Sequence, residues 1–111
     1  MPSRVLENLA DLFSALSHPN RIRIVQALAT AERDVTELHS SLELSQSYVS
    51  QQLSVLKNSG LVKVRREGHH AYYSLRHDGL PKLIDQGLDL VEEDIARARE
   101  LEKVIGAVRN H

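Results

Sequence analysis

No cysteine occurs anywhere in the 111 residues, so disulfides, thiolate metal sites and thiol redox switches are excluded. Tryptophan is absent as well, and with one Phe and three Tyr the core must be filled by aliphatic side chains. No stretch approaches the roughly 20 apolar residues that a membrane-spanning helix needs. The opening residues MPSRVLENLADLF turn amphipathic at once and lack the apolar centre and cleavage site of a signal peptide. A cytoplasmic protein with no membrane partner is expected. No repeat, low-complexity run or long linker divides the chain, so residues 1–111 are read as a single domain with one modest core. Catalytic signatures are missing too. There is no GxSxG elbow, and Gly68 is the only glycine in a basic setting, with no P-loop around it. Nothing in the spacing brings Ser, His and Asp together, so no enzyme is expected.

The formal net charge is only −1, but the charges are unevenly placed. Residues 45–76 carry Lys57, Lys63, Arg65, Arg66 and Arg76 against Glu67 alone. Residues 77–96 carry Asp78, Asp85, Asp89, Glu92, Glu93 and Asp94 against Lys82 alone. The distribution, rather than the sum, points to a segment built to meet an anion.

What is present is strongly periodic. Val5, Leu9, Leu12, Phe13 and Leu16 recur at helical spacing and predict a first helix over about 4–17. SHPN breaks it, and Pro19 suits the first turn of a second helix whose buried side is Ile22, Ile24, Val25 and Leu28. Asp34 followed three residues later by Glu37 is a capping-box start for a short third helix. His39 is expected on its exposed face. Glu43-Leu44 forms a tight turn, and Ser45 is a good N-cap for a fourth helix over about 46–58, buried through Val49, Leu53 and Leu56. Asn58-Ser59-Gly60 stops it. The period then changes to two: LVKVRR and AYYSL flank EGHH, a hairpin with Gly68 at its tip. A long last helix follows Asp78, striped with Ile84, Leu88, Val91, Ile95, Ala98, Leu101, Ile105 and Val108.

The expected fold is mostly α with a small β-hairpin, in the order α-α-α-α-β-β-α. It is a winged helix-turn-helix with the helix-turn-helix at 35–59, the wing at 61–75 and a C-terminal dimerisation helix at 78–108. Such a motif places its second helix in the DNA major groove. Gln46, Ser47, Tyr48, Ser50, Gln51 and Ser54 leave the buried face of that helix. Gln pairs two-pronged with adenine, Ser donates or accepts, and an aromatic edge meets a thymine methyl. Ser45 and the free amides of the first turn suit a phosphate. Arg65, Arg66, His69 and His70 on the hairpin would lie against the backbone or probe the minor groove. The competing reading is a solvated polar face on a module that binds protein instead, favoured by the near-neutral total charge and the acidic last helix. The two apolar stripes exceed what one small core needs and point to a homodimer.

LFSALSHPNRIRIVQAL, DVTEL, LSQSYVSQQLSVLKNSGLV and RREGHHAYYSL together resemble successive signatures of the ArsR/SmtB family of bacterial transcriptional repressors, over roughly residues 8–93. The resemblance implies a homodimer joined through first and last helices and bound to a near-palindromic operator in double-stranded DNA. It also implies release by an inducer, often a metal ion. The family's cysteine site, ELCVCDL, is ERDVTEL here, so Asp34 and Thr36 stand at the cysteine positions and soft ions lose their ligands. A second family site lies between last helices across the dimer. Aligned on YYSL, its positions are His77, Gly79, Leu90 and Glu93, of which only His77 and Glu93 coordinate. Asp78, Asp89 and the tail residue His111 are the residues available to complete it. A set of imidazoles and carboxylates suits nickel or zinc over softer ions. The alternatives are a solvated acidic helix face and a regulator that ignores metal and answers to a helper protein.

Overall fold

In the computed structural model, residues 3–110 are described; the candidate ligand His111 lies outside them. By its internal contacts the chain divides at Pro81–Lys82 into two units.

The first unit opens with α1 (Ser3–Leu16) and α2 (Pro19–Leu28), the latter starting on its proline as its fixed φ favours. A two-residue strand β1 (Arg33–Asp34) leads into α3 (Val35–Leu42) and α4 (Gln46–Asn58), followed by β2 (Val62–Glu67) and β3 (His70–Leu75). The expected order α-α-α-α-β-β-α therefore gains one strand, before the third helix. Strands β1, β3 and β2 form a three-stranded antiparallel sheet with β3 in the middle. Two residues are too few to show a period of two, so β1 left no mark in the hydropathy pattern. It forms because β3 offers Tyr72 and Tyr73 as pairing partners to Asp34 and Arg33.

Side chains from each helix and from β2 build the core: Ala15, Leu16, Ile24, Val25, Leu28, Leu38, Val49, Leu53, Leu56, Leu61, Val62 and Leu80 are buried. Each large aliphatic among them contributes on the order of 1.5–3 kcal/mol over its exposed state. No polar or charged residue is buried with them among the described residues.

In the second unit, residues 82–109 continue helix α5 (Gly79–Arg109). Leu88, Leu90, Val91, Ile95, Leu101, Val104, Ile105 and Val108 are exposed along it. Considered within the first unit, α1 likewise exposes Val5, Leu6, Leu9 and Phe13. Among the described residues no helix is long and apolar enough to cross a membrane.

Candidate nucleic-acid interface

Local chemistry fixes the helix-turn-helix at both ends of both helices. Asp34 caps α3: its carboxylate accepts from the Glu37 amide at 2.8 Å, while Glu37 accepts from the Asp34 amide at 3.4 Å. This reciprocal pair satisfies two donors that the helix start would otherwise leave open. Helix α3 stops at Glu43, which adopts the left-handed conformation at φ 57°. The Leu44 amide then bonds back to the His39 carbonyl at 3.1 Å. Ser45 caps α4 through its hydroxyl, which accepts from the Tyr48 amide at 3.2 Å. The far end of α4 closes in a Schellman motif, Leu61 amide to Leu56 carbonyl and Gly60 amide to Lys57 carbonyl, each at 3.0 Å. That closure needs φ +78° at residue 60, a conformation glycine adopts without strain.

His39 corrects an expectation. It is half-buried rather than exposed, and its Nδ1 donates to the Leu44 carbonyl at 3.3 Å, bracing the turn between α3 and α4. A carbonyl only accepts, so this bond places the proton on Nδ1.

Helix α4 divides cleanly. Val49, Leu53 and Leu56 are wholly buried, whereas Gln46, Ser47, Ser50, Gln51 and Ser54 are exposed. Tyr48 is half-buried and lines an open concavity of about 640 Å³ with Ser47, Ser50, Gln51 and Ser54. All the helix residues singled out from the sequence thus belong to one solvent-facing ridge with Ser45 at its start. Carboxylates are absent from that ridge, so an anionic strand meets no fixed negative charge there.

The orientation of the ridge is set by α2 through residues that hydropathy did not mark. The Arg21 Nε donates to the Gln52 side-chain oxygen at 2.8 Å, and the Asn20 amide donates to the Tyr48 hydroxyl at 3.2 Å. Arg23 donates to the Asn20 side-chain oxygen at 3.1 Å and to the Leu42 carbonyl at 2.8 Å. The one usable signal was negative: Asn20, Arg21 and Arg23 are polar positions interleaved with Ile22 and Ile24 on a helix with no other assigned role.

The wing turns on Gly68 and His69, with Glu67 paired to His70. Gly68 has φ +58° while His69 is not left-handed, the pattern of a type II′ hairpin turn. The bonded Arg76 amide and Leu61 carbonyl, 3.0 Å apart, tie the base of the hairpin. Arg65 has more partners than its place in a basic run suggested. Its guanidinium binds Glu32 at 2.6 Å and also Glu67, and lies 4.8 Å from the centre of the Tyr72 ring. The hydrogen bond from Arg65 holds the Glu32 carboxyl below its ordinary value, and those to Glu32 and Glu67 push Arg65 further up. With two carboxylates around one guanidinium, this cluster offers no spare positive charge. Arg66 and His69 are exposed and, among the described residues, enter no ion pair. His70 approaches the second oxygen of the Asp34 cap at 3.5 Å, linking the wing to the start of α3.

No group of three or more His, Asp or Glu side chains capable of holding a metal ion occurs among the described residues. His77 and Asp78 are exposed before α5; Asp89 and Glu93 are exposed one turn apart along it.

Two capped helices joined by a tight turn, followed by a two-stranded wing, define a winged helix-turn-helix. The sequence profile described as "Bacterial regulatory protein, arsR family" matches residues 18–64. A transcriptional repressor SmtB homolog from Synechocystis sp. is 39% identical over 78% of this chain and 66% of its own length. A biofilm growth-associated repressor from Agrobacterium fabrum is 39% identical over 77% of this chain and 72% of its own. Among solved structures, a homodimeric winged helix-turn-helix DNA-binding domain from Mycobacterium bovis superimposes with a TM-score of 0.73 at 28% identity, covering 82% of this chain and 84% of that one. The chain belongs to the arsR family of bacterial regulatory proteins.

Proposed function

We propose that two copies of this chain bind a near-palindromic operator in double-stranded DNA and repress transcription. The observation that carries this reading is the division of α4, three residues wholly buried and five polar residues exposed, beside a wing whose exposed Arg66 is in no ion pair among the described residues. Such a helix enters the major groove, its Gln and Ser side chains reading base edges while the wing meets the backbone. The exposed apolar residues of α1 and of α5 supply surface for association of two protomers. The similar M. bovis domain is homodimeric, and the Synechocystis and A. fabrum relatives are repressors. Two-fold symmetry then spaces two recognition helices about one DNA turn apart.

The test is a titration of the DNA upstream of the protein's own coding sequence, and of a scrambled duplex, with wild type and Gln46→Ala/Gln51→Ala. Removing each two-pronged pairing with a base should cost about 1–3 kcal/mol on the operator and nothing on the scrambled duplex. Absence of wild-type binding to either duplex at low salt would favour a protein-binding module instead.

A further inference from the structure

We propose that the Tyr48 hydroxyl is a one-way hydrogen-bond donor to an acceptor on the bound DNA, with its direction imposed by Asn20 and Arg23. The proposal rests on the DNA-binding reading and concerns the polarity of one contact within it.

A short relay determines where the protons lie. A guanidinium has donors only, so the Asn20 atom that Arg23 reaches at 3.1 Å must be the amide oxygen. This settles which way the amide faces, and its NH2 group then points at Tyr48, 3.2 Å from the phenolic oxygen. The NH2 group has nothing to accept with, so Tyr48 cannot donate back to it. Its single proton is turned away from α2, and among the described residues no hydrogen bond takes it up. Arg23 is itself anchored on the Leu42 carbonyl at 2.8 Å, so the relay starts from the helix-turn-helix turn and ends at the concavity lined by Tyr48 and its neighbours.

A hydroxyl free in solution rotates and serves as donor or acceptor. Here it is held as a donor before any partner arrives. DNA offers acceptors of two kinds at this depth, the phosphate oxygens and the N7, O6 and O4 atoms of the bases. A thymine methyl, which an aromatic edge would meet, makes no use of the hydroxyl.

Tyr48→Phe keeps the ring and deletes the donor. It should weaken binding by about 3- to 10-fold per protomer, the scale of one net hydrogen bond. A loss shared by operator and scrambled duplex identifies a phosphate acceptor; a loss on the operator alone identifies a base. Either supports the proposal, and unchanged binding to both overturns it. Asn20→Asp supplies the sharper test, because a carboxylate accepts and so draws the Tyr48 proton inward while keeping the bond to the fold. The added negative charge weakens DNA binding by itself, and that part persists in Asn20→Asp/Tyr48→Phe. The part acting through the hydroxyl does not. The effect of Asn20→Asp should therefore shrink by the same about 3- to 10-fold when Tyr48→Phe is already present, and full additivity would overturn the proposal. Failure of the DNA-binding reading itself would look different: wild type would bind neither duplex.

Discussion

Arg66→Ala separates the two neighbouring wing arginines. Arg66 is exposed on β2 opposite Ala71 and, among the described residues, is in no ion pair, whereas Arg65 is held between Glu32 and Glu67. Each phosphate neutralised on B-DNA contributes about −0.9 to the slope of log affinity against log salt. A dimer carries two copies of Arg66, so the variant should have a slope shallower by about 1.8. Between about 50 and 200 mM salt, the wild type should then lose about 12-fold more affinity than the variant does. Fluorescence anisotropy of a labelled operator duplex across that range reads the slope directly. Arg65→Ala should change the slope less, because that guanidinium is already neutralised, while lowering affinity by uncovering two carboxylates near the backbone. An unchanged slope in Arg66→Ala, together with a drop of about 1.8 in Arg65→Ala, would refute this assignment of wing charges.

Three further outcomes follow from the same geometry. Asp34→Ala removes the cap of α3 and the partner of His70; it should cost about 0.5–2 kcal/mol and lower the thermal midpoint by several degrees, whereas Asp34→Ser should recover most of it. A circular-dichroism melt in which both variants match wild type would contradict the capping account. Glu32 titrates below an ordinary glutamate because Arg65 donates to it. Its pairing therefore stabilises the fold above the unfolded pKa and is lost as pH falls through the lower folded value. Carboxyl-carbon NMR should show that inflection moving up in Arg65→Ala, and identical inflections would exclude the pair in solution. Finally, Leu9→Glu/Phe13→Glu alters residues that α1 already exposes, so it should yield a folded monomer by sedimentation. A dimer of unchanged strength would remove α1 from the interface.

Much of the helix-turn-helix was legible because its boundaries are written in single residues. Asp34, Ser45 and Gly60 each perform the capping chemistry their types prefer, and the structure starts α3 and α4 and ends α4 there. The change of period after Leu61 and the glycine at the hairpin tip were sufficient for the wing. What escaped was whatever depends on partners distant in the chain. β1 exists only because β3 pairs with it. Arg65 looks like a free cation among its neighbours in sequence, but its carboxylate partner Glu32 lies 33 residues upstream. The pattern around Tyr48 marks only an aromatic edge, and its hydroxyl acquires a direction from Asn20, 28 residues before it. Capping is a local matter between neighbours, whereas the polarity of a hydrogen bond across the fold is not.

Hydroxyl-radical footprinting of the protein on the duplex upstream of its coding sequence tests the central claim most directly. Two protected patches on one face, related by a two-fold axis and centred about 34–36 Å apart, are the predicted result. A single patch, or none at low salt with the protein folded, would contradict a paired helix-in-groove mode of binding.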